Sequence, residues 1–248
     1  MTSSLTRRVV LALAAMAALA SPALAAPSAP LPDDMVLGGA NAPVTVIEYA
    51  SASCPHCARF NNNVFPDFKK KYIDSGKVHF VFREYLTEPV QVAAAGFLLA
   101  RCAGHDKYFQ VLDEFFHGQA NAYETGDIKS LILAAGGHAG LNEAEISACL
   151  SDQAAAQALN TRVEHYARDE GVNSTPTFVI NGKKLANLDH EVALEDLDAA
   201  IGPLLTVEGK EKATGKAKTK AKSTVKAKAK SKAKAKAKPK AAAQPGRR

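Results

Sequence analysis

A run of apolar residues, Pro43-Val44-Thr45-Val46-Ile47-Glu48-Tyr49, leads through Ser51-Ala52-Ser53 directly into Cys54-Pro55-His56-Cys57. The run reads as a buried strand interrupted near its end by a glutamate, and the small polar residues read as the turn that closes it. A helix is predicted to begin just after Cys54 and to run through Phe60, Val64, Phe65 and Phe68 toward Ile73, with a kink at Pro66. Ser75-Gly76 ends it, and Val78-His79-Phe80-Val81-Phe82 supplies a second strand. The two cysteines therefore sit where a strand gives way to a helix inside a β-α-β unit.

From about Glu88 to Arg168 every segment reads as helix: Val90 to Ala103, Tyr108 to Phe116, Asp127 to Ala135, Asn142 to Leu150 and Gln153 to Arg168. Glycines at 104, 118, 126, 136, 137 and 140 are taken as the breaks. Strand signals return at Thr177-Phe178-Val179-Ile180. The turn Asn181-Gly182 and Lys183-Lys184-Leu185 complete a hairpin, and Leu194 to Ile201 form a closing amphipathic helix. The order predicts an α/β fold with a helical insertion at about 88–168.

The two ends stand apart from this body. Residues 1–25 carry Arg7 and Arg8, an apolar run from Val9 to Ala20 and the small-residue site Ala23-Leu24-Ala25, the layout of a cleaved secretory signal peptide. The run is too short to span a bilayer. Arg7-Arg8 also weakly resembles a twin-arginine signal, but two adjacent arginines are ordinary in a charged leader, the reading preferred. Residues 26–41 are read as an N-terminal segment and 42–204 as the folded domain. Residues 205–248 alternate Lys with Ala and have almost no large apolar side chains, so a disordered basic tail is expected there. That tail holds sixteen Lys and Arg against two Glu, a net of +14, whereas the body between leader and tail holds 13 basic and 23 acidic residues. The overall +6 thus conceals an acidic domain joined to a basic extension.

A Cys-x-x-Cys spacing serves redox chemistry and zinc sites alike. Its place at a helix start favours redox, because backbone N–H groups and the positive helix end face the first sulfur and favour the thiolate. The helix terminus contributes at most about 2 kcal/mol. Lowering a thiol from about 8.5 to about 3.5 requires about 7 kcal/mol. Further hydrogen bonds must make up the difference, and His56 is the expected local donor or positive charge. A stabilised thiolate stabilises the reduced protein and makes the disulfide a stronger oxidant.

The sequence resembles the DsbA family of thiol oxidases, which have a thioredoxin fold, over about residues 34–204. The likeness rests on Cys54-Pro55-His56-Cys57, the preceding strand with an acid six residues upstream (Glu48), the helical insertion, and Thr175-Pro176-Thr177-Phe178, which is similar to the family's cis-proline loop. The resemblance implies that Cys54 is the exposed nucleophile and Cys57 the buried partner. It implies that Pro176 is cis and, with Thr175, holds a client peptide opposite the sulfurs, and that Glu48 assists proton transfer at Cys57. It also implies reduced client proteins, a DsbB-like membrane partner that reoxidises the pair, and a periplasmic monomer with no cofactor beyond its redox disulfide. Thr175 departs from the valine of the best-known oxidases. The walls of a client groove are expected to depend on how the insertion helices pack over Pro176.

Cys102 and Cys149 fall in the helical block, 47 residues apart. A structural disulfide between two insertion helices is expected, similar to some DsbA-like proteins, with a pair of buried free thiols as the alternative. A zinc set of Cys54, Cys57, Cys102 and His105 is a further alternative. The other histidines suggest no site. Rival functions are a disulfide isomerase or reductase of the same fold, or a binding protein that presents its basic tail to an anionic envelope surface.

Overall fold

The computed structural model describes residues 30–186 and 190–206, so the reading of residues 1–25 as a leader, and that of 205–248 as a disordered tail from 207 onward, lie outside the described residues; 205 and 206, expected in the tail, are helical. Five strands, β1 (Met35–Leu37), β2 (Val44–Ala50), β3 (Val78–Glu84), β4 (Thr177–Ile180) and β5 (Lys183–Lys184), form one sheet in the order β1-β3-β2-β4-β5. The central pair β2 and β3 is parallel, as a crossover through a helix requires, and the outer pairings are antiparallel. Asn181 and Gly182 both take positive φ in the β4–β5 turn, the conformation that lets a two-residue hairpin follow the sheet twist. The sheet starts earlier than expected: β1 lies within the stretch read as a mere N-terminal segment.

The crossover between β2 and β3 contains α1 (Pro55–Asn63) and α2 (Phe65–Phe68), continued by one wider helical turn over Lys69–Ile73. The break falls at Val64, because Pro66 cannot donate to the preceding turn. The insertion consists of α3 (Val90–Cys102), α4 (Tyr108–Thr125), α5 (Ile128–His138), α6 (Glu143–Ser151) and α7 (Gln153–Asp169). A last helix, α8, spans 194–206. Helices α4 and α5 run through Gly118, Gly136 and Gly137, which were expected to be breaks. Packing explains two of them: a Cβ at Gly118 would lie 2.6 Å from Leu131, and one at Gly136 would lie 2.5 Å from Ile146. These glycines let helices approach closely; they do not end them.

Alternation along β2 and β3 divides the core. Val44, Val46, Val78, Phe80 and Phe82 join the large cluster under α1, α3 and α4, whereas Ile47, Tyr49 and Val81 pack with Tyr166 of α7 and Val172. β3 runs two residues beyond its expected end, and both added residues are buried charges. Arg83 is 1% exposed; its guanidinium donates to Asp34 at 2.9 Å and to Glu170 at 2.9 Å, and also to the Tyr49 hydroxyl, which itself bonds Glu170. Glu84 accepts from Arg101 of α3 at 2.5 Å, from Arg162 of α7 at 2.6 Å and from Tyr108 of α4 at 3.1 Å. These two networks bind the insertion to the end of the central strand.

Cys102 on α3 and Cys149 on α6 form a disulfide with a Cα–Cα distance of 5.7 Å. Arg83→Met is expected to destabilise the protein by about 3–5 kcal/mol, because it leaves the buried Asp34 carboxylate without the guanidinium that holds it and removes one from Glu170. Urea unfolding of the variant against the unaltered protein measures this; a change under about 1 kcal/mol would show that the network contributes little.

Candidate active site

Cys54 occupies the N-cap of α1 in extended conformation, φ −81° and ψ 121°, and Pro55 takes the first helical position. Proline fits there because its φ is preset for the helix and its missing N–H would have had no intrahelical acceptor. Both thiols are free and buried, with Cys54 7% and Cys57 1% exposed.

Their acidities are driven apart. Cys54 is lowered from the usual 9.0 to about 5; the largest cause is a hydrogen bond from the Cys57 thiol, opposed by burial, with further help from Thr175 and from the backbone N–H groups of Cys57 and His56. Burial, followed by the Cys54 hydrogen bond, pushes the Cys57 thiol well up. The Cys54 thiol donates to the Thr175 carbonyl at 3.4 Å, and the Thr175–Pro176 peptide bond is cis.

Glu48 sits on β2 with Phe82 and Phe178 as its cross-strand neighbours. Strand alternation turns its side chain to the same face as Val46 and Ala50, under α1. Burial first, and the nearby Cys54 second, push its carboxyl up from 4.5 to about 8. Glu48 is therefore mostly protonated at neutral pH, and its charge bears on Cys57. An acid inside an apolar strand was the signal that exposed it in the sequence.

His56 behaves differently from its expected role. Its imidazole is 59% exposed and pairs through Nδ1 with Glu191 at 3.1 Å and with Arg59 at 3.0 Å. What favours the Cys54 thiolate is the backbone N–H of His56, which any residue but proline would supply at that position. Arg59 also donates to Glu191, at 2.5 Å from Nε, so one carboxylate holds both side chains at the start of α1.

Other residues of the site have no spacing that marks them. Ser51, Ser53 and Thr87 form a hydroxyl cluster beneath the cysteine loop, with Ser51 Oγ 3.1 Å from Ser53 Oγ and 2.9 Å from Thr87 Oγ1. From α4, Gln119 donates to the Ala52 carbonyl at 2.7 Å and Tyr123 to the Ser53 carbonyl at 2.8 Å. Gln119 could have been suspected, since it is a polar residue at core spacing between Phe115 and Ala122. Gly96 of α3 lets that helix meet the loop, where a Cβ would lie 2.7 Å from Ala52.

A groove of about 710 Å³ opens beside His56 and Thr175, its apolar walls including Phe60, Pro176, Phe178, Leu185 and Val192. Its described walls come from α1, the cis-proline segment, and residues 184–186 and 190–193. The zinc alternative fails on the disulfide, because Cys102 has no thiolate to offer while bonded to Cys149. Among the described residues no other His, Cys, Asp and Glu cluster could hold a metal ion.

The chain thus carries a strand-to-helix cysteine pair beside a cis-proline, and the family model described as "Thioredoxin" matches residues 31–202. The chain belongs to the thioredoxin family. It is 32% identical over 182 residues to a Rickettsia conorii protein provisionally named a protein-disulfide oxidoreductase, covering 73% of this chain and 63% of that one. A similarly named protein of Rickettsia bellii is 30% identical over 170 residues, 68% of this chain and 65% of its own. The match thus spans slightly less than two thirds of each relative's length. Among solved structures the chain is similar to alpha-DsbA1 of Wolbachia pipientis, with TM-score 0.61 and 29% identity over 71% of this chain and 92% of that one.

In the reduced protein, Cys54 is expected to titrate at about 5, and thiolate absorbance measures it. Its lowered value stabilises the folded dithiol form above the unfolded pKa, and that stability is lost as pH falls toward 5. Between pH 7 and pH 4 the stability advantage of the reduced protein over Cys54→Ala is expected to shrink by about 3 kcal/mol. A pH-independent difference would contradict the assignment. Glu191→Gln leaves the Arg59 guanidinium near the sulfur without its carboxylate and is expected to lower the Cys54 midpoint by less than about one unit, an effect that salt suppresses.

Proposed function

We propose that this protein is an exported thiol:disulfide oxidoreductase that donates its Cys54–Cys57 disulfide to folding client proteins. The observation that carries the reading is the opposed pair of thiols, Cys54 acidic at about 5 and Cys57 held well above the usual range, above a carboxyl at about 8. In the oxidised protein a client thiolate attacks Cys54 Sγ, a mixed disulfide forms, and the electron pair of the broken S–S bond goes to Cys57. Glu48 supplies the proton that Cys57 needs. A second client thiolate then attacks the client sulfur of the mixed disulfide, forms the client's disulfide, and releases Cys54 as a thiolate that is stable at neutral pH.

Thr175 and Pro176 stand opposite the sulfurs, where an extended client chain can lie against the groove. The names and structures of the relatives support oxidoreductase chemistry in this chain. The same reading takes residues 1–25 as a signal peptide, places the protein in the periplasm as a monomer, and assigns reoxidation to a DsbB-like membrane partner. Among the described residues no helix is long and apolar enough to cross a membrane. The tail's charge of +14 suits it to an anionic envelope surface, each lysine near such a surface contributing about 1 kcal/mol.

The thiolate effect sets the expected oxidising power. Against a thiol of pKa about 7, one near 5 gains about 2.3 kcal/mol at pH 7, or about 50 mV. Starting from the thioredoxin value of about −270 mV, the midpoint is expected near about −220 mV, short of the −120 mV of DsbA. Equilibration with glutathione buffers measures it, with Cys102 and Cys149 replaced by Ala. A midpoint at or below about −270 mV would establish a reductant and overturn disulfide donation.

Glu48→Gln tests the proton transfer. The Cys54 midpoint is expected to stay near about 5, because Glu48 is uncharged where Cys54 titrates. Mixed-disulfide formation with a reduced client peptide is expected to slow by about 100-fold. An unchanged rate would remove Glu48 from the mechanism.

A further inference from the structure

Ser51 contacts both cysteines through its main chain. Its N–H donates to Cys57 Sγ at 3.5 Å, and its carbonyl accepts from the Cys54 N–H at 3.0 Å. Its side chain is fixed from a third direction: Ser51 Oγ accepts from the Thr87 N–H at 3.2 Å and from the Thr87 hydroxyl at 2.9 Å. Ser53 completes the cluster, donating to the Thr87 carbonyl at 2.9 Å. Ser51 and Ser53 are wholly buried, so these bonds do not compete with bulk water. Thr87 lies between β3 and α3, on the strand-to-insertion connection and not on the cysteine loop.

We propose that the Ser51 amide is a fixed hydrogen-bond donor to the departing Cys57 thiolate, and that Thr87 is the positioning residue that aims it through the Ser51 hydroxyl. When a thiolate attacks Cys54 Sγ, negative charge grows on Cys57 Sγ, which is buried and has few donors near it. A preset N–H at that sulfur stabilises the charge as it develops, without reorganisation. The amide favours the Cys57 thiolate in the same direction. Thr87 thereby connects the insertion's first residues to the rate at which the redox disulfide opens. The inference rests on the dithiol–disulfide chemistry proposed above, though not on the identity of the client.

The test is reduction of the oxidised full-length protein by dithiothreitol at pH 7, with the state of the Cys54–Cys57 peptide read by acid quench, alkylation and mass. One dithiothreitol thiolate bonds to Cys54 and expels Cys57; its second thiol closes the dithiothreitol ring and releases Cys54. Thr87→Val, which keeps the side-chain shape and loses the hydroxyl, is expected to react about tenfold more slowly, and Thr87→Ser to restore the rate. The Cys54 midpoint is expected to be the same in all three proteins. A Thr87→Val rate within twofold of the unaltered protein, or a loss that Thr87→Ser fails to restore, would overturn the proposal. So would a rate loss accompanied by a moved Cys54 midpoint, which marks general distortion of the loop. If the rates behave as expected while client peptides are not oxidised, the donor stands and the proposed function fails.

Discussion

Desolvation beneath the start of α1 is the constraint on which the site depends. Cys57 and Glu48 are both driven toward their neutral forms because little water reaches them, and Cys54 gains its acidity chiefly from the hydrogen bond that a neutral Cys57 thiol can donate. Were Cys57 solvated and ionised, it would repel the Cys54 thiolate and offer it no proton. The two unequal thiols are thus one effect with two outcomes: the sulfur at the helix cap meets N–H groups, and the sulfur one turn on meets the sheet.

Keeping that region dry requires the helical insertion to stay docked, and buried charges fix how its apolar face meets the sheet. Glu84, the last residue of β3, is held by side chains from three insertion helices, while Arg83 beside it ties β1, β2 and the end of α7 to the opposite face. Buried ion pairs of this kind add little net stability over apolar packing, but they are costly to break and admit few geometries. Gln119 and Tyr123 reach from α4 onto the carbonyls of the cysteine loop, so the insertion also shapes the loop directly.

Much of this was legible in the residues. The strand, the Cys-x-x-Cys turn and the helix after it follow from apolar spacing and from proline at the first helical position, which are local properties. The α/β order with a helical block was readable for the same reason. The helix limits at Gly118 and Gly136 were not, because glycine's local preference to end a helix lost to the close approach of α5 and α6. The position of the His56 imidazole was not legible either. Adjacency in sequence suggested a side chain turned to the sulfur, while a carboxylate 135 residues away drew it to the rim.

The sequence by itself determined where the redox pair lies, that it caps a helix, and that an acid lies six residues upstream, since each follows from short-range pattern. Only the tertiary structure decided how acidic each thiol is, where the imidazole points, and which groups hold the loop. Those properties depend on burial and on partners such as Thr87, Gln119, Thr175 and Glu191, which are brought to the cysteines from tens to more than a hundred residues away by the closing of the sheet and the docking of the insertion.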